Sequence, residues 1–197
     1  MRHLDVAKDI VMKGTSQLTL HASTDPDVAS VQVPELELLD SSTLQFSGDL
    51  TIDAASSFVI DPAATVTGKA GGVPAGNSMP GCPNDGGSYM GGSHGGFGAG
   101  PNAVMTPCGS NLNWPRARGA GGRTGGAGAG GAALVVLANQ TLSTKLVLNG
   151  LVTVDGGSAS SNGGGGAGGG IAMRVRHLLG SGTIRADGGA GASYGAW

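Results

Sequence analysis

Glycine occupies every third position from residue 119 to residue 131, in the stretch GAGGRTGGAGAGG. A period of three belongs neither to the α-helix nor to the β-strand; it is the period of the polyproline II helix, which makes no internal hydrogen bonds. The backbone groups of such a helix must find partners on neighbouring chains, and glycine lets those chains come close. The stretch therefore predicts polyglycine II helices packed side by side, this one about 37 Å long at ~3.1 Å per residue.

Three further glycine runs, near residues 92, 163 and 188, share this spacing or begin it. The glycines that we expect to pack against neighbouring backbones are Gly92, Gly95, Gly98, Gly119, Gly122, Gly125, Gly128, Gly131, Gly163, Gly166 and Gly169. A flexible glycine linker is the alternative for such a composition. The glycine runs alternate with apolar strand patterns, which favours the packed arrangement.

The remaining composition limits the kind of core that the chain can build. Of 197 residues, 40 are glycine, 4% are aromatic and 12% are charged. A thin core of aliphatic side chains is therefore expected rather than a bulky globular one. The net charge of −2 argues against nucleic acid as a partner, and no apolar stretch reaches the length of a membrane span.

Alternating apolar and polar residues predict short β-strands in several places, for example in residues 17–21. Residues 36–46 align with residues 50–60 at an offset of 14, and residues 150–157 align with residues 182–189 at an offset of 32. Strands and small turns at a fixed period predict an all-β fold, in which a parallel β-solenoid accompanies a layer of polyglycine helices. A β-sandwich with glycine-rich loops is the runner-up.

Changes in composition divide the chain into three segments. Residues 1–67 are predicted to form β-solenoid coils, and residues 68–132 a Gly/Pro-rich insert with polyglycine segments. Residues 133–197 repeat a unit of strands and glycine run, and we expect these repeats to continue into a longer chain.

The insert contains both cysteines, Cys82 and Cys108. Two thiols in one irregular segment predict a disulfide, and hence an extracellular or cell-surface location. A catalytic or metal-binding pair is the alternative, but the short CxxC spacing is missing.

The insert also concentrates aromatic and basic side chains, which make it the candidate partner surface. Its residues are Tyr89, His94, Phe97, Trp114, Arg116 and Arg118. The competing interpretation is that the aromatic rings only pack against the face of the glycine layer and cover it. Asn139 begins an N-x-T sequon and is a candidate glycosylation site.

Candidate catalytic residues are few. Asp53 and Asp61 could stack as the paired acids of a carbohydrate-active β-helix enzyme, although a nearby basic residue and an aromatic cleft are not evident. Asp25 and Asp27 are typical of an ordinary turn rather than a calcium site. No paired histidine spacing suggests zinc, so no metal, cofactor or catalytic residue is expected.

The runs GGSHGGFGAG and GAGGRTGGAGAGGAALVVLA, with the later Asp-Gly-Gly repeats, resemble the glycine-rich β-solenoid repeats of large secreted or surface proteins. Their spacing is similar to that in the stacked polyglycine II helices of phage tail-tip adhesins and springtail antifreeze proteins. The resemblance covers roughly residues 50–197 and implies an architecture more than a function.

These features predict a non-enzymatic extracellular structural or adhesive module, part of a larger surface protein or fibre. Its expected partners are further copies of itself or other surface and matrix proteins, with glycans as further candidates. We expect no nucleic-acid partner and no membrane span in this piece. A carbohydrate-active β-helix enzyme and an ice-binding protein are the two alternatives.

Overall fold

The computed structural model describes residues 2–21, 29–77, 92, 117–123, 126–138, 143–160 and 162–192. These residues form thirteen β-strands and no helix. Since they contain no helix, none of them provides a helix long and apolar enough to cross a membrane.

The strands are short, apart from two that run to ten and twelve residues. In chain order they are β1 (Arg2–Asp5), β2 (Ile10–Met12), β3 (Gln17–His21), β4 (Ala29–Leu38), β5 (Thr43–Ser47), β6 (Asp49–Ile60), β7 (Thr65–Thr67), β8 (Ala133–Ala138), β9 (Lys145–Leu148), β10 (Leu151–Thr153), β11 (Gly170–Val175), β12 (His177–Leu179) and β13 (Thr183–Arg185).

The strands pair in parallel and form two sheets, one of eight strands and one of five. In the larger sheet the long strands β4 and β6 each take part in two rows. The first row is β1, β4, β6, β8 and β11, and the second is β2, β4, β6, β9 and β12. The smaller sheet is a third row of β3, β5, β7, β10 and β13. The predicted all-β class with parallel strands is confirmed.

The chain visits the three rows in the same order five times. Parallel neighbours need a crossover connection, and here the crossover passes through the strands of the other rows. A register shift between Val33 and Glu35 divides β4 into its two halves. Each return to a row places the new strand beside the previous one with its side chains aligned.

The core of the strand unit consists of apolar residues at equivalent positions of successive strands. In the second row Leu36 faces Phe58, and Phe58 faces Leu146; all three are buried. In the third row Leu44, Val66 and Val152 are aligned and buried in the same way. Complete burial of such a side chain contributes about 1.5–3 kcal/mol, so these aligned columns stabilise the rows.

The structure confirms the register predicted from one sequence repeat and contradicts the register predicted from the other. The offset of 32 is confirmed, because Val152 pairs with Ile184. The offset of 14 was wrong, because Leu36 pairs with Phe58 and Thr43 with Thr65, 22 residues apart in both cases. The strands of all three rows share the same alternating pattern, so the sequence alignment matched a strand of one row with a strand of another.

The chain divides into two compact units, and its course alternates between them. The first unit contains Met1–Thr67, Leu134–Thr153 and Ala172–Arg185. The second contains Gly68–Ala133, Val154–Ile171 and Ala186–Trp197, and so collects the glycine runs. The three consecutive segments predicted from composition remain a prediction.

The prediction of polyglycine II helices was wrong, since the described glycine runs are assigned neither helix nor strand outside β11. The stretch from 119 to 131 is not one extended helix. Its ends meet, because the Gly119 amide donates to the Gly131 carbonyl at 2.8 Å and the Gly122 amide to the Gly128 carbonyl at 2.8 Å. Gly126 has a φ of 80°, a left-handed conformation open to glycine, and lies where the stretch folds back.

Candidate functional site

The second unit holds the most distinctive arrangement of the molecule, a set of glycine-rich segments joined through their backbones. We call them the glycine segments; they comprise residues 68–77, 117–123, 126–132, 154–160, 162–169 and 186–192. Backbone hydrogen bonds join each of them to at least two others. Segment 126–132, for example, bonds to four: Gly72 donates to Gly130, Gly122 to Gly128, Gly157 to Ala129, and Gly128 to Gly164.

The hydrogen bonds between glycine segments recur every three residues. The amides of Gly128 and Gly131 both donate to segment 162–169, at 3.0 and 2.8 Å. In segment 154–160, Gly157 and Ser160 donate to segment 126–132, whereas Gly156 donates to segment 186–192. Successive residues of one segment thus bond to different neighbours. Backbone groups that would otherwise be buried without partners are satisfied in this way, without a strand ladder.

Glycine is required where these segments touch. A Cβ atom at Gly128 would lie 1.7 Å from the Gly157 carbonyl oxygen, and one at Gly131 would lie 1.7 Å from the Val154 oxygen. Contacts under 3.0 Å are not found for real Cβ atoms. Segment 186–192 is packed on one side only, because a Cβ at Gly189 would lie 2.0 Å from the Gly157 oxygen, whereas one at Gly188 would approach nothing closer than 3.7 Å.

The recurring Asp-Gly-Gly motif has a structural role. Asp155 is buried, and its carboxylate accepts a hydrogen bond of 2.8 Å from the Asp187 amide, one repeat later. The Gly156 amide returns a bond of 2.8 Å to the Asp187 carbonyl oxygen. Beside this pair, the Ser158 hydroxyl accepts a bond from the Ala190 amide at 3.2 Å. The repeated aspartate therefore joins one repeat to the next.

The two candidate acids, Asp53 and Asp61, lie in different surroundings, the first within a strand and the second in the turn that follows it. Asp53 is in β6 opposite Gln32, and Asp61 follows the last residue of that strand. The Asp61 carboxylate accepts a bond of 3.4 Å from the Asp40 amide, and the Asp40 carboxylate accepts one of 2.9 Å from the Gly14 amide. Asp61 thus belongs to a column of turn residues that the sequence did not reveal.

Most of the predicted partner surface lies outside the described residues. This applies to both cysteines, the sequon asparagine, three of the packing glycines and most of the insert: Cys82, Cys108, Asn139, Gly95, Gly98, Gly125, Tyr89, His94, Phe97, Trp114 and Arg116. The turn acids Asp25 and Asp27 lie outside them as well. Arg118 is described and half-buried in segment 117–123. The Gly92 amide donates to the Gly165 carbonyl at 2.9 Å, which joins this residue of the insert to segment 162–169.

The described residues contain no group of three or more histidine, cysteine or acidic side chains that could hold a metal ion. His21, the histidine of β3, is exposed and lies 3.1 Å from the Ser47 hydroxyl on β5.

The large exposed apolar side chains of the described residues gather in the first and last strands of the rows. They are Leu4, Val11, Leu178, Leu179 and Ile184. The sequence did not single them out, because their residue types match those of the buried positions.

In comparisons with known proteins, no protein-family model, no curated protein and no solved structure matches the chain.

Proposed function

We propose that this chain is a non-enzymatic structural module of an extracellular surface or fibre protein, built as a β-solenoid of five coils. Each coil consists of one strand from each of the three rows, taken in chain order. The observation that carries the proposal is the fivefold return of the chain to the same rows, with aligned apolar residues in each. Such repetition produces a scaffold in which every coil is supported by its neighbours.

The contacts between repeats support a structural role. Asp155 binds the backbone of the following repeat, and Asp61 and Asp40 bind turn to turn in the strand unit. These carboxylates act as links between coils.

Backbone bonding between the glycine segments serves the same purpose. A rigid module with few bulky side chains must satisfy its amides by close backbone contact, and the Gly128–Gly157 approach achieves this. An extracellular location follows from the disulfide expected between Cys82 and Cys108, and the candidate partners are surface or matrix proteins and glycans.

Single-molecule force spectroscopy on the purified chain, pulled from β1 and β13, tests this proposal. A coil of the 21 residues that separate Ala29 from Leu50 should release about 70 Å of contour length at ~3.4 Å per residue. We expect stepwise lengthening in increments of this size from the amino-terminal coils. Unfolding of residues 2–67 in a single step, or extension of the chain without measurable resistance, would contradict the solenoid scaffold.

The enzyme alternative is tested on the same protein. Asp53→Asn with Asp61→Asn removes both candidate acids, and a glycan-hydrolysis panel compares the variant with the parent chain. A parent that cleaves a glycan and a variant that does not would replace the scaffold proposal with a β-helix enzyme.

The ice-binding alternative depends on a regular array of exposed threonines. Thr43 pairs with Thr65 and Thr67 with Thr153 in the third row, but Leu151 interrupts the first column and Thr153 is buried. This interruption favours the scaffold. We expect no thermal hysteresis from the purified chain, and measurable hysteresis would reverse this preference.

A further inference from the structure

The outward side of the second row carries apolar side chains between charged ones. Residues along each strand of this row alternate between the core and the outside. On β6, Phe58 is buried, whereas the next residue, Val59, is half-buried and points outward. On β9, Leu146 is buried and Val147 points outward in the same way. Because Val59 pairs with Val147, the two form an apolar stripe across the row.

This stripe lies on interior strands of the row. The strands β4, β6 and β9 each have a described neighbour on both sides. Their outward side chains therefore point away from the core whatever lies beyond the outer strands. Val11 of β2 and Leu179 of β12 continue the same column. We call the outward side of the three interior strands the valine face; it comprises Glu35, Glu37, Ser57, Val59, Lys145 and Val147.

Charge is distributed unevenly over the valine face. Both acidic residues, Glu35 and Glu37, lie on β4, whereas the one basic residue, Lys145, lies on β9. The uncharged residues Ser57 and Val59 of β6 separate them, since Glu35, Ser57 and Lys145 share one column. The acidic and basic sides are thus two strands apart, about 9–10 Å. A face of this kind is complementary in charge to a reversed copy of itself.

We propose that the valine face binds the valine face of a second copy through a two-fold axis parallel to β6. The inference rests on the proposed structural role and names its partner, a further copy of this chain. Two sheets pack face to face when their apolar side chains interdigitate and their strands are nearly aligned. A two-fold axis along β6 meets this condition and gives a closed dimer in which both copies use the same surface.

Two axes in the plane of the contact could relate facing sheets, and the charges distinguish them. An axis parallel to β6 places β4 of one copy over β9 of the other, so that Glu35 and Glu37 approach Lys145 at two equivalent places. The same axis brings Asp9, which precedes β2, opposite His177 of β12. An axis perpendicular to the strands places β4 over β4, and carboxylate over carboxylate. Because juxtaposed like charges oppose association, the first axis is favoured.

The centre of the proposed contact is apolar. Val59 lies on the axis strand and meets its own equivalent, while Val147 covers the aliphatic part of Glu37. One group opposes the contact: Asp61 follows β6 and approaches its equivalent across the axis, although its carboxylate is turned to the Asp40 amide. With two outward positions on each interior strand the contact is small, and small interfaces belong to weak, transient complexes.

Charge reversal and its rescue test this proposal. Lys145→Glu opposes like charges at both equivalent places, and Glu35→Lys with Glu37→Lys does so with the opposite sign. Each variant alone should dimerise at least about tenfold more weakly than the parent chain. In a mixture of the two variants, the heterodimer regains opposite charges at both places. Sedimentation equilibrium from micromolar to millimolar concentration should show dimers for the parent chain and the mixture, and mainly monomers for each variant alone.

Gln45→Glu is the matched control, because it places the same charge at an exposed position of β5, in the third row. It should dimerise like the parent chain. A parent chain that stays monomeric at millimolar concentration overturns the proposal. So does a mixture no more dimeric than its two components, and so does a parent chain that forms a series of larger multimers, since a two-fold contact closes at the dimer.

Circular dichroism checks that each variant folds. Val59→Thr with Val147→Thr repeats the test without a change of charge: it keeps β-branched residues in both strands but removes apolar burial, and should also weaken the dimer. An unchanged dimer in this variant would contradict the apolar centre. Failure of this inference is separable from failure of the scaffold proposal, because a monomer that still lengthens coil by coil under force would refute the dimer and leave the scaffold intact.

Discussion

Alanine in place of Gly156 and alanine in place of Gly188 should change stability in opposite directions, although the two glycines are equivalent in the repeat. Each follows the aspartate of an Asp-Gly-Gly motif. A Cβ at Gly156 would lie 2.1 Å from the Gly166 carbonyl oxygen, whereas the nearest atom to a Cβ at Gly188 is 3.7 Å away. The pair therefore compares the same local sequence with and without a packed neighbour.

The expected magnitude follows from the contact that must open. To reach the 3.0 Å limit of real Cβ contacts, segment 162–169 would have to move by about 1 Å from Gly156. Such overpacking costs about 1–3 kcal/mol. The displacement also strains the Gly166-to-Gly157 bond of 2.9 Å, and losing a backbone bond costs about 1 kcal/mol. The Gly156→Ala variant should thus lose about 2–4 kcal/mol.

Gly188→Ala should stabilise the chain by about 0.4–1 kcal/mol, because alanine restricts the unfolded chain and meets no obstacle in the folded one. For a chain of this length, 1 kcal/mol changes Tm by about 2–4 °C. Calorimetry should show Gly156→Ala lower by on the order of 10 °C and Gly188→Ala higher by about 1–4 °C. Equal melting temperatures would refute the close approach of the glycine segments.

Four other variants probe the remaining contacts. Phe58→Ala empties a buried column in the middle of the second row and should cost about 3–5 kcal/mol in urea unfolding; a loss under 1 kcal/mol would mean that the column does not form. Asp155→Ala leaves the Asp187 amide without its acceptor and should cost about 1–3 kcal/mol, while Asp187→Ala, at an exposed carboxylate, should cost less than about 1 kcal/mol. A larger loss for the second would contradict the linking role of Asp155. Asp53→Asn with Asp61→Asn should leave Tm within a few degrees, and a collapse of the fold would show that these acids are central to it.

Local spacing in the sequence was informative where one residue type has one physical role. Glycine at every third residue predicted backbones bonded to one another, and the bonds of Gly128 and Gly131 to one neighbour keep that period. The Asp-Gly-Gly repeat at residues 155 and 187 predicted its own register, because Asp155 and Asp187 occupy the same place in the aligned units 150–157 and 182–189. Alternating apolar residues predicted strands, and the fixed period of strands and small turns predicted their parallel arrangement.

The number of residues between paired strands of one row could not be obtained in this way. Leu36, Leu50 and Phe58 are all large apolar residues in alternating strands, so matching Leu36 with Leu50 is as good a sequence alignment as matching it with Phe58. The choice depends on which strand lies beside which. That is decided by pairing at long range, where Leu36 and Phe58 share one buried column.

The sequence by itself determined the chemistry of each segment: which stretches extend, which backbones can approach, and that little side-chain bulk is present to form a core. Only the tertiary structure decided that the stretch between 119 and 131 folds back on itself, and that Leu178 is exposed while Leu146 is buried. The physical reason is that spacing along a chain records what each residue can bond, whereas burial depends on whether another strand lies beside it.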